Sequence, residues 1–277
     1  MNNILFNLRF IDHIVLLFSR EVLYRLSSPW LYFVAGIILL ITWIYGFGFQ
    51  QTFLTESVLV TIDPLMALDI IVIMFMGVVL GLRLAAGLAW EREHRTLEVL
   101  IVGPVVWSSV IFSKFLVEIF IMFFLINIYL VYLLVAQPLG LGVLEFSDTV
   151  GIIQIAIFAL PTLSLGLIIG AWARTVRGAV VIFIVVMGIF VTFELILVFL
   201  QSRSLEQISL NELFIRTSLE MVSPVIEIFS AAGQLAILIK VLKQDMILSG
   251  FATLWAFLLT LISLFFAAAL ARIRGAI

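Results

Sequence analysis

Six stretches of about twenty residues are almost wholly apolar, and each is long enough to cross a hydrocarbon layer about 30 Å thick. They cover residues 30–49, 66–89, 111–136, 149–172, 179–200 and 249–271. Inside lipid no water satisfies the backbone, so a spanning segment must close its own hydrogen bonds as a helix or join a closed barrel. Runs this long, with no alternation of polar and apolar positions, predict helices. The expected fold is therefore an all-α membrane protein with six transmembrane helices. Composition agrees: 64% of the 277 residues are hydrophobic and 12% charged, about half the charge of a soluble domain.

Several chemistries are excluded. The chain has no cysteine, so disulfides, thiolate metal sites and cysteine nucleophiles are ruled out. His13 and His94 lie in different segments, and no metal centre is expected. No G-x-x-x-x-G-K-[ST] phosphate loop, H-E-x-x-H or G-x-S-x-G occurs. Nor is there a paired carboxylate cluster within a span or a potassium-filter loop. The chain is expected to be no enzyme and to hold no cofactor or nucleic acid.

Lysine and arginine set the expected orientation. Arg9, Arg20, Arg25, Arg92, Arg95, Lys114, Arg174, Arg177, Arg272 and Arg274 fall on one side of the spans. Arg203, Arg216, Lys240 and Lys243 fall on the other, all in one long loop where the rule is weak. Both termini are thus expected in the cytoplasm of a multi-pass protein of the inner or plasma membrane. Residues 1–29 mix Arg9, Asp12, Arg20, Glu21 and Arg25 with apolar residues. That pattern differs from a signal peptide and suits an amphipathic helix on the membrane surface. Residues 201–248 are too long for a connector and too apolar for disorder. They are read as an extracytoplasmic lid of short helices, some dipping into the outer leaflet around Pro224. No internal repeat appears, and the reading is a single membrane domain over 1–277.

Polar residues inside spans are functional candidates by default. Arg83 lies close enough to the end of its span to snorkel. Glu118 follows Lys114 by four residues, the spacing of a local ion pair. Asn127 and Gln154 suit interhelical hydrogen bonds. Glu194 has no basic residue within four positions, which makes it the most open candidate for lining a cavity. Glu118, Asn127 and Glu194 are the candidate pathway residues. Asp63 and Asp69 are assigned to the outer interface without a special role. Gly77, Gly81, Ala85 and Ala89 place a small residue at every fourth position of the second span, and Gly166 and Gly170 do so in the fourth. Such faces let helices approach closely. Packing within the chain and a seam between two copies are both open.

The apolar run of the second span stops at Ala89 and Trp90, and Glu91, Arg92, Glu93, His94, Arg95, Thr96 and Glu98 follow. Leu97, Val99, Leu100, Ile101 and Val102 interleave with the charges before Gly103 and Pro104 end the run. A short amphipathic helix held between two spans is well placed to press on a soluble partner, although a charged loop can also be merely solvated.

Two stretches resemble the membrane subunits of type-two ABC exporters, the ABC-2 transporter permeases. Residues 20–32, REVLYRLSSPWLY, resemble the family's interface helix: the pair Arg20 and Glu21, then Arg25, then a Ser-Pro lead into the first span. Residues 91–100, EREHRTLEVL, with Pro104 and Lys114 following, resemble the family's coupling segment, roughly E-R-E-x-G-T-L-E-x-L-L-x-x-P and then G-K. Arg95 and Ser113 stand where glycines are usual. The Ser-Ser-Pro lead looks closest to the gliding-motility type of permease. The resemblance implies two permease subunits, identical or homologous, forming one export pathway. It also implies two copies of a separate ABC ATPase subunit, which binds ATP and magnesium and receives the 91–103 coupling helix. The alternative is a non-transporting membrane anchor that recruits a cytoplasmic partner.

Overall fold

The computed structural model describes residues 2–55, 64–94, 107–136, 149–202, 217–221, 229 and 246–275. Its principal elements are α1 (Asn2–Leu26), α2 (Pro29–Thr55), α3 (Pro64–Glu93), α4 (Trp107–Ala136), α5 (Thr149–Trp172), α6 (Val176–Ser202) and α7 (Met246–Gly275). No strand occurs among the described residues. Helices α2 to α7 are each long and apolar enough to cross a membrane, so the all-helical, six-span architecture stands. Most of the expected lid and residues 95–106 of the charged turn lie outside the described residues.

The chain divides into two compact units. The first comprises Met1–Met76 and Leu97–Ala156, the second Gly77–Thr96 and Ile157–Ile277. In the first, α1 and α2 both pack against α4. The bend between α1 and α2 follows from Ser27, Ser28 and Pro29. Ser27 N–H donates to Leu23 O, and its hydroxyl donates to Tyr24 O at 3.0 Å. Tyr32 Oη, from the next helix, donates to Leu26 O at 3.1 Å. Orphan carbonyls at the end of α1 are thereby satisfied. Pro29 then occupies the first position of α2, where its missing N–H costs nothing and its fixed φ suits a helix.

Large apolar side chains face outward as well as inward. On α7 the buried face carries Ala256, Thr260, Ser263, Ala267 and Ala271 with one large residue, Leu264, while Trp255, Phe257, Ile262, Phe265 and Phe266 are exposed. Small and hydroxyl residues go inward because helices in lipid associate by close packing and hydrogen bonds rather than by a hydrophobic effect. Hydroxyls within the spans bond their own helix: Thr42 donates to Ile38 O and Thr260 to Ala256 O, both at 2.8 Å.

The second unit is organised by the crossing of α3 and α5. The small residues of α3 meet those of α5 in register: Gly77 faces Ala159, Gly81 faces Thr162 and Gly166, and Ala85 faces Gly170. The matched order means that the two helices run in the same direction. A Cβ on Gly166 would overlap the carbonyl of Gly81, and one on Gly170 would lie 2.9 Å from Ala85 O. The small-residue faces are thus intrachain packing. Ala85, Ala89, Ile169, Ala173, Ala179 and Phe183 form a buried cluster that brings α6 onto the same seam.

Gly166→Ala should lower the thermal unfolding midpoint in detergent micelles by several degrees, because overpacking a tight core costs about 1–3 kcal/mol. Gly36→Ala, where an added Cβ meets nothing within 4 Å, should leave the midpoint unchanged.

Candidate functional site

The charged end of α3 does not break away from the span. The helix continues through Ala89 and Trp90 and ends at Glu93, so Glu91, Arg92 and Glu93 form its last turn. His94 closes it: its N–H donates to Trp90 O at 3.1 Å, and its Nδ1 lies 2.9 Å from the same oxygen. The imidazole lies over the Trp90 ring, with centroids 4.4 Å apart.

Arg92 and Glu93 reach in different directions to the ends of two other helices. Arg92 Nη1 donates to Ala171 O at 2.8 Å, in the last turn of α5. Glu93 Oε2 accepts from Val176 N–H at 2.9 Å, the first residue of α6. Each contact puts charge where the helix dipole favours it, a cation at a C-terminus and an anion at an N-terminus. Each also satisfies a backbone group that its helix leaves unpaired. Thr175 completes the corner as the N-cap of α6, its Oγ1 accepting from Gly178 N–H at 3.1 Å. The last turn of α3 therefore clamps the tight connection between α5 and α6, at the point where residues 95–106 leave the helix. Of the proposed coupling residues, Arg95, Thr96 and Glu98 lie outside the described residues.

A second polar cluster joins α1 to α4. Lys114 Nζ donates to Glu21 Oε1 at 2.7 Å, and Arg25 Nη2 lies 3.3 Å from Glu118 Oε1. On each helix the two residues are four apart, so both fall on one face. The pairing keeps chain order, 21 with 114 and 25 with 118, which means that α1 and α4 run locally in the same sense. The side chains of Glu118 and Lys114 are 0% and 6% exposed, and Arg25 is 14% exposed. Phe18 and Phe120 meet edge to face beside the cluster, 5.9 Å between centroids. The sequence suggests a pair within α4; the structure adds the partners on α1. Arg20 is exposed.

Asp69, assigned to the outer interface without a special role, has a specific partner. It is buried, 6% exposed, and accepts a hydrogen bond from the wholly buried Tyr129 hydroxyl of α4. A carboxylate within a span beside a tyrosine sixty residues away leaves no local pattern, so spacing alone could not join them. Asn127 is exposed and donates to Phe123 O of its own helix at 2.8 Å rather than across helices. Of the candidate pathway residues, Glu118 belongs to the α1 cluster and Asn127 faces outward. Glu194 lies on α6, with its side chain outside the described residues. The described residues hold no group of three or more His, Cys, Asp or Glu placed to bind a metal.

A family model described as "ABC-2 type transporter" matches residues 12–202, more than half of the chain. That span covers the α1 cluster, the α3–α5 seam and the clamp. No curated protein matches the chain.

Two outcomes test these clusters. Arg25→Ala removes a cation from beside the buried Glu118 carboxylate and should destabilise by up to about 3–5 kcal/mol; adding Glu118→Gln should recover much of the lost thermal midpoint, whereas Arg20→Ala should cost little. Glu93→Ala removes a charge-assisted bond of about 1.5–3 kcal/mol. Hydrogen exchange in peptides covering 173–179 should then accelerate about tenfold or more, with exchange in α4 unchanged.

Proposed function

The chain belongs to the ABC-2 type transporter family, and from that premise we propose that it is the permease of an exporter driven by a separate ATPase. The family places it as the membrane component of an ABC transporter. Two copies, or one copy and a homologue, enclose the pathway. The clamp end faces the cytoplasm, α1 lies along that surface, and the helices of 201–248 cover the outer side. The Ser27, Ser28 and Pro29 lead is the ground for proposing the gliding-motility type of permease as its subtype.

The observation that carries this reading is the continuity of α3 from the small-residue seam to the clamp. ATP binding in the partner draws two ATPase subunits together, and each presses on the segment that follows Glu93. A 30-residue helix is about 45 Å long and resists bending. The seam leaves no room for α3 to slide past α5, and Arg92 and Glu93 hold the ends of α5 and α6 to the same turn. A push delivered at residues 95–106 therefore moves these three helices together, instead of deforming a loop. Asn127 and Glu194 are proposed to meet substrate along the pathway. Glu118, held to Arg25, transmits the position of α1 to α4.

The test is co-purification followed by reconstitution. The chain should bring down an ATPase encoded beside it, and Arg95→Glu with Glu98→Lys should weaken that capture about tenfold, equivalent to about 1.4 kcal/mol. Glu93→Ala should leave capture intact and uncouple ATP turnover from transport in proteoliposomes. ATP-driven transport by the isolated chain would sink the proposal. Capture of a partner with no transport under any condition would instead make the chain an anchor.

A further inference from the structure

We propose that the corner between α5 and α6 is a binding site for the headgroup of an anionic phospholipid. A pocket of about 220 Å³ opens there, lined by Trp172, Ala173, Arg174, Gly178 and Ile182. Its walls are of two kinds. Ala173 and Ile182 form an apolar floor that continues down α6 toward the span, and Gly178 contributes no side chain to fill the space. Arg174 is among the lining residues, and Arg177 follows three residues on, outside the lining; both are exposed. Neither guanidinium has an ion-pair partner among the described residues. Trp172 is half exposed at the end of α5, as is Trp90 at the end of α3, the position where indole rings meet the headgroup layer.

The chemistry of the corner points to a lipid rather than a free anion. Three of the backbone donors that begin α6 are already used: Val176 N–H by Glu93, Gly178 N–H by Thr175 Oγ1 and Ala179 N–H by Thr175 O at 3.0 Å. Anion binding here therefore rests on the two arginines, which match phosphate oxygens by planar, bidentate hydrogen bonding. The apolar floor gives a small hydrated ion nothing to contact, but it suits the glycerol and first methylenes of an acyl chain. Glu93, the carboxylate fixed at this corner, is turned to Val176 N–H and is not among the lining residues. Because the same turn is held by the clamp, lipid bound here stabilises the joint between α5 and α6.

The experiment uses the full chain in micelles with added phosphatidylglycerol, phosphatidylcholine or inorganic phosphate. Phosphatidylglycerol should raise the thermal midpoint by several degrees over phosphatidylcholine, and native mass spectrometry should show about tenfold preferential retention. Arg174→Gln with Arg177→Gln should abolish both effects and leave the midpoint in phosphatidylcholine unchanged, since both side chains are exposed. The corresponding lysine pair should keep part of the preference. Ile182→Trp, which fills the floor with both arginines in place, should also weaken retention. The proposal is overturned if the glutamine pair keeps the lipid preference, or if inorganic phosphate alone reproduces the shift. It is equally overturned if the glutamine pair loses a co-purifying cytoplasmic protein while lipid retention is intact.

Discussion

Everything in the second unit depends on the backbone-to-backbone approach of α3 and α5 at Gly81 and Gly166. In lipid there is no hydrophobic gain in bringing two apolar helices together, since the hydrocarbon is as apolar as leucine. What favours association is the number of van der Waals contacts made at short range, and only residues without bulk allow that range. The seam is also selective in register. A shift of one turn keeps a small residue opposite a small residue, but a shift of one or two residues drives Leu or Val side chains into a backbone. The crossing therefore sets the longitudinal position of α3, and with it the height at which Arg92 and Glu93 emerge.

That height explains why two adjacent, oppositely charged residues are accommodated at the end of a span. Arg92 is long enough to reach the carbonyl end of α5, and Glu93 reaches the amide end of α6. Neither needs the other as a partner, and each meets a helix dipole of the sign it requires. The joint between α5 and α6 is correspondingly short, with residues 173–175 between the helices. These charges thus stand at the end of the seam, on the same continuous helix.

The α1 cluster solves a different problem. Apolar contacts that lipid would supply equally well gain a helix little, so directional forces hold α1 against α4. Two ion pairs at the same four-residue spacing on both helices provide them. Because Glu118 is fully buried, breaking either pair leaves a charge in a poor dielectric, which makes the arrangement stiff even where its net contribution to stability is modest.

Much of this was legible in the sequence, for identifiable reasons. Apolar length without alternation implied six helices, because the backbone's need for hydrogen bonds in lipid leaves only helices or closed barrels and barrel strands are shorter and alternate. Ser27, Ser28 and Pro29 marked the break between α1 and α2 through local capping chemistry. The spacings 21 and 25, and 114 and 118, showed which charges share a helix face, and the four-residue repeat of glycine and alanine showed a close-packing face. The sequence by itself did not say what any of these faces met. Whether Gly81 packs on Gly166 or on a second copy was decided only by tertiary structure, as were the pairing of Glu118 with Arg25 and the union of Asp69 with Tyr129. So was the discovery that Arg92 and Glu93 cap α5 and α6. Local periodicity and capping are encoded within one or two turns of chain, whereas each of these pairings joins residues sixty or more apart, and only the packed helices bring them within hydrogen-bonding or van der Waals range.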